Sequence, residues 1–429
     1  MSVAGSRAEE LRGWKQIADY LRVSIRTAQN MEKDQRLPVR RGAGIKGQVF
    51  ALTNEVEEWR LNEAPSPASI LQEPELPRAA DKSRRQWLSA VGGSTLLAAG
   101  AGLGYLLSGF VGRGRGVPAE FRVEGSRLII SSKDGGELWR HIFAGDLTEN
   151  DYRMDTLRLC QFADLSKDNK TETIFSVRPR AVEDERSVIC FSSIGELLWK
   201  FVPGTTVTDN LGRSFAPPYW PNSFQVVRSR TAAPSTVVVS SNHNWSFPNQ
   251  IAVLDGRTGK LLSEYWHRGH LLHMANVDID GDGEPEVLLG GVNDAPEYKQ
   301  ATLVVFNNRR ISGASKNPTG GVYFQGMAPG TEKKTILFPR TPVSRPFEFN
   351  RVSVLRVASD RITANVVEST DENDPCYVVY ELDFNLRPVN AGLSNGLMER
   401  YRQLQSKGDL PNEPFTAVAE RLKSEIVVI

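Results

Sequence analysis

Lys133-Asp-Gly-Gly-Glu-Leu-Trp139 and Ser193-Ile-Gly-Glu-Leu-Leu-Trp199 are two versions of one pattern: a polar turn containing glycine, then a short strand ending on tryptophan. A looser third, Asp255-Gly-Arg-Thr-Gly-Lys-Leu-Leu262, leads on to Trp266. Glycine in such turns supplies the positive φ that a tight hairpin needs. A second signal follows the turns. Asp164-Leu-Ser-Lys-Asp-Asn-Lys-Thr-Glu172 and Asp278-Ile-Asp-Gly-Asp-Gly-Glu-Pro-Glu286 each run into an apolar strand, at 173–177 and 287–289. Short strands recurring at intervals of tens of residues predict a large all-β domain over 117–429.

That repeat is the pattern of propeller blades, with their number left open. The order of turn and Asp-rich loop resembles the FG-GAP/VCBS repeats of integrin-like propellers, and the G-x-L-x-W turns are also similar to quinoprotein-type repeats. From 301 onward the blades show only as hints, such as 377–388. Two helices are predicted there, at 396–407 and near 415–423. Asp278, Asp280, Asp282 and Glu286 alternate along their loop, and Gly281 and Gly283 permit a tight turn. Carboxylates so close repel one another without a cation, so the loop is expected to wrap one Ca²⁺. The backbone carbonyl of Glu284 completes the expected set by analogy with such loops. The 164–172 loop is the weaker candidate, because Ser166 replaces a carboxylate and Lys170 adds a positive charge. His267, His270 and His273 alternate faces on a strand and are expected to be structural instead of metal ligands.

Upstream of this domain, no residue from Gln86 to Gly112 is charged, a run of 27 residues. About 20 apolar residues suffice to cross a bilayer as a helix, so 87–111 is read as a transmembrane helix. Its glycines suit a membrane span better than a soluble helix. Gly100, Gly104 and Ser108 form a small-residue stripe through which two copies would pair as a homodimer. The segment 63–86 reads as a proline-rich linker with a basic flank. Its end, Ser83-Arg-Arg-Gln-Trp-Leu88, is similar to a twin-arginine export motif.

Residues 1–62 read as a small helical domain. Trp14, Ile17, Ala18 and Leu21 have amphipathic-helix spacing, Ser24 is a good N-cap, and 25–32 forms a second short helix. A hairpin through Arg36, Arg40, Arg41 and Lys46 and a helix from 55 to 61 follow. This block resembles the winged helix-turn-helix domains of the MerR/excisionase type. The resemblance implies double-stranded DNA as partner, with Ser24, Arg26, Thr27, Gln29, Asn30, Arg36, Arg40, Arg41 and Lys46 facing it. The charge is modest for a DNA binder, with 11 Lys and Arg against 8 Asp and Glu in residues 1–62.

The chain has 429 residues, a net charge of +1 and three distant cysteines. These exclude a dense disulfide framework and a cysteine zinc site. No P-loop or HExxH motif occurs, so no enzyme is expected. The expected fold class is multidomain: a small α-rich winged helix-turn-helix, a single transmembrane helix and a large all-β propeller-like domain. The expected function is a one-component transcriptional regulator in the inner membrane, with a cytoplasmic DNA-binding head and an exported domain that binds an unknown ligand or protein. The alternative is a membrane-anchored propeller enzyme, or an adhesion or scaffold protein whose helix-turn-helix binds protein.

Overall fold

A computed structural model describes residues 10–21, 32, 37–41, 49–56, 116–153, 157–178, 186–228, 235–243, 247–294, 299–315, 321–358, 360–369 and 376–429. Two compact units divide the chain, Met1–Leu96 and Leu97–Ile429.

In the first unit, strand Glu10–Arg12 turns at Gly13, whose φ is +77°, into helix α1, Gly13–Leu21. Strand Val49–Leu52 pairs with Glu10–Arg12 on one side and Arg40–Arg41 on the other. The apolar face of α1 closes a small core in which Leu11, Ile17, Ala18, Leu37, Ala51 and Val56 are buried. The α-rich winged helix-turn-helix is therefore corrected: among the described residues of this unit the nine-residue α1 and a helical turn at 53–56 lie with three strands, in a chain whose described residues are nearly all β. An amphipathic spacing shows only that a helix has one apolar side; a small sheet covers that side as well as other helices would. Residues 25–31 of the second expected helix lie outside the described residues.

The expected membrane span, 87–111, also lies outside the described residues. Among those described, no helix is long and apolar enough to cross a membrane. The longest, Asn395–Ser406, has 12 residues, against the roughly 20 that a bilayer requires. The single-pass placement in the inner membrane, with an exported domain, is corrected accordingly. A run without charge records only the absence of a penalty, and glycine contributes no apolar side chain to drive insertion.

The second unit is a succession of antiparallel meanders in which spatial order follows chain order. Sheet I has three strands, Glu120–Glu124, Arg127–Ser131 and Glu137–Ile142. Sheet II comprises Cys160–Ala163, Glu172–Val177, Ser187–Phe191 and Leu197–Phe201. Sheet III comprises Tyr219–Val227, Thr236–His243, Pro248–Asp255 and Leu261–Arg268, with the short parallel strand Gly313–Ala314 added. Sheet IV contains Leu271–Val277, Glu286–Asn293, Gln300–Asn307 and Lys334–Leu337, and sheet V contains Arg351–Val357, Ile362–Val367, Tyr377–Leu382 and Pro388–Leu393.

Burial explains why these strands read as apolar runs. Every residue of Glu172–Val177 and Ser187–Phe191 is buried, because sheet II is covered on both faces. One core joins sheets I and II, a second II and III, a third III and IV, and a fourth IV and V. In sheet V the pattern changes. Ile362, Ala364 and Val366 are buried while Thr363, Asn365 and Val367 are half-exposed, the alternation of a sheet covered on one face. Helices α2, Asn395–Ser406, and α3, Phe415–Ser424, bring Leu397, Tyr401, Val418 and Leu422 into the core of sheets IV and V. They are the two helices expected from the sequence. The chain then returns to sheet IV, where Val427–Val428 pairs with Lys334–Leu337 as an added edge strand.

The recurrent turns join neighbouring sheets. Gly195, at φ +87°, lies under Trp139, and a Cβ there would come within 2.8 Å of the indole. Gly259, at φ +67°, lies under Trp199 in the same way, at 2.7 Å. The Trp199 indole Nε1 also donates to the Gly256 carbonyl at 2.8 Å. Each tryptophan thus seats on the glycine turn of the following sheet, which is why the two residue types recur together.

Candidate functional site

The loop 278–286 joins the first two strands of sheet IV and is wound around its first carboxylate. Asp278 accepts from the Gly281 amide at 2.7 Å and from the Gly283 amide at 2.8 Å. Both glycines have positive φ, +76° and +89°, which lets their amides turn inward. Asp280 accepts from the Asp282 amide and Asp282 from the Glu284 amide, so the acidic side chains first satisfy the loop's own donors. Glu286 is fully buried and accepts from the Ile279 amide at 3.1 Å.

Asp278, Asp280 and Glu286 bring one oxygen each to within 4.8 Å of one another, the only such group of three His, Cys, Asp or Glu residues among the described residues. Asp282 is outside that group, and Glu284, expected to offer its backbone carbonyl, engages its side chain elsewhere. The Asp282 carboxylate caps the Glu284 amide, and the Glu284 side chain takes Arg309 at 2.7 Å and Asn308 at 3.2 Å. A residue to which no sequence pattern points enters instead. Lys333 Nζ donates to Asp280 at 2.6 Å and to Glu286 at 3.1 Å. Burial disfavours its ammonium, but the hydrogen bonds and charges of Asp280 and Glu286 outweigh this and raise its pKa. The hydrogen bond from Lys333 holds the Asp280 carboxyl below its ordinary value.

The 164–172 loop in sheet II has the same construction. Asp164 accepts from the amides of Asp168 and Asn169, and buried Glu172 accepts from the Leu165 amide at 2.8 Å. Lys167 and Asn169, with φ +60° and +63°, hold the places that Gly281 and Gly283 hold in sheet IV. With Ser166 in place of Asp280, no third carboxylate joins the pair, and burial pushes the Glu172 carboxyl up. The backbone loop therefore forms without a cluster of acids; what distinguishes sheet IV is Asp280 and the lysine that meets it.

Of the expected DNA-facing set, Arg40 and Arg41 are exposed and engaged by carboxylates, Arg40 by Glu55 and Arg41 by Glu32 at 2.5 and 2.8 Å. Ser24, Arg26, Thr27, Gln29, Asn30, Arg36 and Lys46 lie outside the described residues. The histidines do not converge on a metal. His267 is buried against the Gly269 carbonyl at 3.0 Å, and burial lowers its pKa to about 4. Cys160, Cys190 and Cys376 are all free, and burial pushes the Cys190 thiol up.

The His267 shift has a testable consequence. Its folded pKa is depressed below the ordinary 6.5, so the unfolded chain binds the extra proton between those values. Its contribution is complete above pH 6.5 and is lost as the pH falls toward 4. Denaturant unfolding between pH 7 and 4.5 should show this acid-side loss, and His267→Gln should flatten it while keeping a donor for Gly269.

No protein-family model matches the chain and no curated protein matches it. Among solved structures, the chain is similar to a crystal structure of BBS1N in complex with ARL6DN, soaked with mercury, at 13% identity, over 66% of this chain and 71% of that one, with a TM-score of 0.34. A second crystal structure of that complex, soaked with lead, gives 11% identity over 66% and 83% of the two chains and a TM-score of 0.26. A crystal structure of a eukaryotic initiation factor gives 9% identity over 64% and 62%, also with a TM-score of 0.26. Likenesses this slight carry no argument about function. The MerR/excisionase and FG-GAP/VCBS resemblances are thereby corrected: the spaced residues of the second are turn glycines, loop-capping aspartates and packed tryptophans, which any fold with such turns would select, and part of the first lies outside the described residues. DNA binding, which rested on the first resemblance, is not carried forward.

Proposed function

We propose that the 97–429 unit is a non-catalytic binding scaffold whose fourth sheet responds to Ca²⁺. The observation that carries this reading is the convergence of Asp278, Asp280 and Glu286 within 4.8 Å on a preformed loop. Three carboxylates and nearby backbone carbonyls are the hard oxygen donors that Ca²⁺ takes, with water filling the remaining positions. Lys333 is the internal competitor. Its side chain is 37% exposed, so it can swing to solvent when the divalent ion takes Asp280 and Glu286. Ca²⁺ would thus exchange a link between the loop and residue 333 for a link within the loop itself. Competition places the affinity at the weak end of the calcium range, on the order of 10⁻⁴–10⁻³ M. A structural role, as opposed to catalysis, suits His267, Tyr265 and Cys190, which are shifted by burial between sheets.

Calorimetric titration of the full chain with CaCl₂ tests the reading. One site is expected, and Lys333→Met should tighten it by about tenfold, because a competing charge is removed. Asp280→Asn should abolish it. Absence of calcium binding in both the wild type and Lys333→Met would sink the proposal.

A further inference from the structure

The first strands of sheets III, IV and V, together with Arg158 ahead of sheet II, surround a cavity of about 160 Å³. Its wall is apolar at Phe224, Leu272, Met274 and Leu355, and its charged and ionisable lining is entirely basic: Arg158, Arg356 and His273. No aspartate or glutamate is among the lining residues. Arg158 is held in place by donating through Nη1 to the Gln225 side chain at 3.0 Å. Ser223, also in the lining, donates to the Leu272 carbonyl at 2.6 Å, which links sheets III and IV at the same place. Arg356, on sheet V, and Arg158 are both exposed.

Two guanidinium groups at one small cavity repel each other; both residues are exposed, so water screens much of that repulsion, and the attraction for an anion comes from the uniformly basic lining. A bound anion reverses the sign of the interaction, and guanidinium groups match the planar or tetrahedral oxygens of carboxylate and phosphate. The volume is below that of a site for a drug-sized ligand, about 300 Å³ or more, so it suits one compact anionic group. We infer that this cavity, where the first strands of sheets III to V meet Arg158, binds an oxyanion, a carboxylate or phosphate group, held between Arg158 and Arg356. The inference deepens the binding role proposed above by naming the ligand chemistry, and it is independent of calcium.

The test is calorimetric titration of the full chain in EDTA at low ionic strength with inorganic phosphate, succinate and a blocked tri-glutamate peptide. Neutral succinamide serves as control. Saturable one-to-one binding of at least one anionic probe is expected, weakened about tenfold in Arg356→Gln. Preference for phosphate or succinate would identify a free small anion, and preference for the peptide an acidic side chain of a partner. Arg356 is exposed, so its substitution should leave the fold intact, and an unchanged melting temperature checks this. Failure of every anionic probe to saturate, or equal binding by the wild type and Arg356→Gln, would overturn the inference. Because calcium is chelated throughout, either result leaves the calcium reading to be judged by its own titration.

Discussion

Gly259→Ala is expected to destabilise the 97–429 unit far more than Gly135→Ala, although the two glycines occupy equivalent turns. Both have positive φ, +67° and +82°, so each substitution carries the backbone cost of a side chain in that region, about 1–2 kcal/mol. At Gly135 nothing lies within 4 Å of the new Cβ. At Gly259 the Cβ would sit 2.7 Å from the Trp199 ring, which is itself buried between sheets II and III. Overpacking of this kind adds about 1–3 kcal/mol, since the indole has a close-packed neighbourhood in which to move. The difference between the two variants therefore isolates the contact between sheets. Denaturant unfolding of both should show Gly259→Ala lower by that amount; equal losses would mean that the seat under Trp199 is not a packing constraint.

Glu368→Ala should produce a loss of comparable or greater size. Glu368 is 1% exposed at the end of Ile362–Val367 and accepts three hydrogen bonds. These come from the Thr341 amide at 2.9 Å, the Thr341 hydroxyl at 2.6 Å and Asn350 Nδ2 at 2.8 Å. Asn350 in turn accepts from the Ala301 amide of sheet IV at 2.8 Å. One carboxylate thus ties the 339–350 segment to sheet V and, through Asn350, to sheet IV. Alanine would leave the Thr341 amide and hydroxyl without this acceptor and Asn350 Nδ2 with the Pro339 carbonyl alone, at about 1–3 kcal/mol for each orphaned donor before water enters, so a total of at least about 2 kcal/mol is expected. Gln retains one acceptor oxygen and should recover part of the loss. If Glu368→Ala unfolds within about 1 kcal/mol of the wild type, the segment is held by packing alone.

The local chemistry was legible in residue types. The turn glycines, the Asp-to-Glu loops and the two late helices follow from φ requirements, loop capping and apolar spacing, all short-range effects. The resemblances drawn from those features did not hold, because local rules are shared by many folds. At residues 13–21 the spacing predicts a helix, but what covers its apolar face is set by strands 10–12 and 49–52, over thirty positions apart in the chain.

At the candidate site the division falls in the same place. The sequence alone determines that Asp278, Asp280, Asp282 and Glu286 share one loop, because they lie within nine residues and two glycines bend the backbone there. Only the tertiary structure decided which of them converge and what they meet. Lys333 reaches Asp280 from 53 positions away, and Arg309 draws the Glu284 side chain aside. The basic cavity is more non-local still, with Arg158, His273 and Arg356 contributed from the neighbourhoods of three different sheets. No spacing rule links such residues, since their proximity arises from the order in which whole sheets pack, and that order is the sum of many apolar contacts between faces distant in sequence.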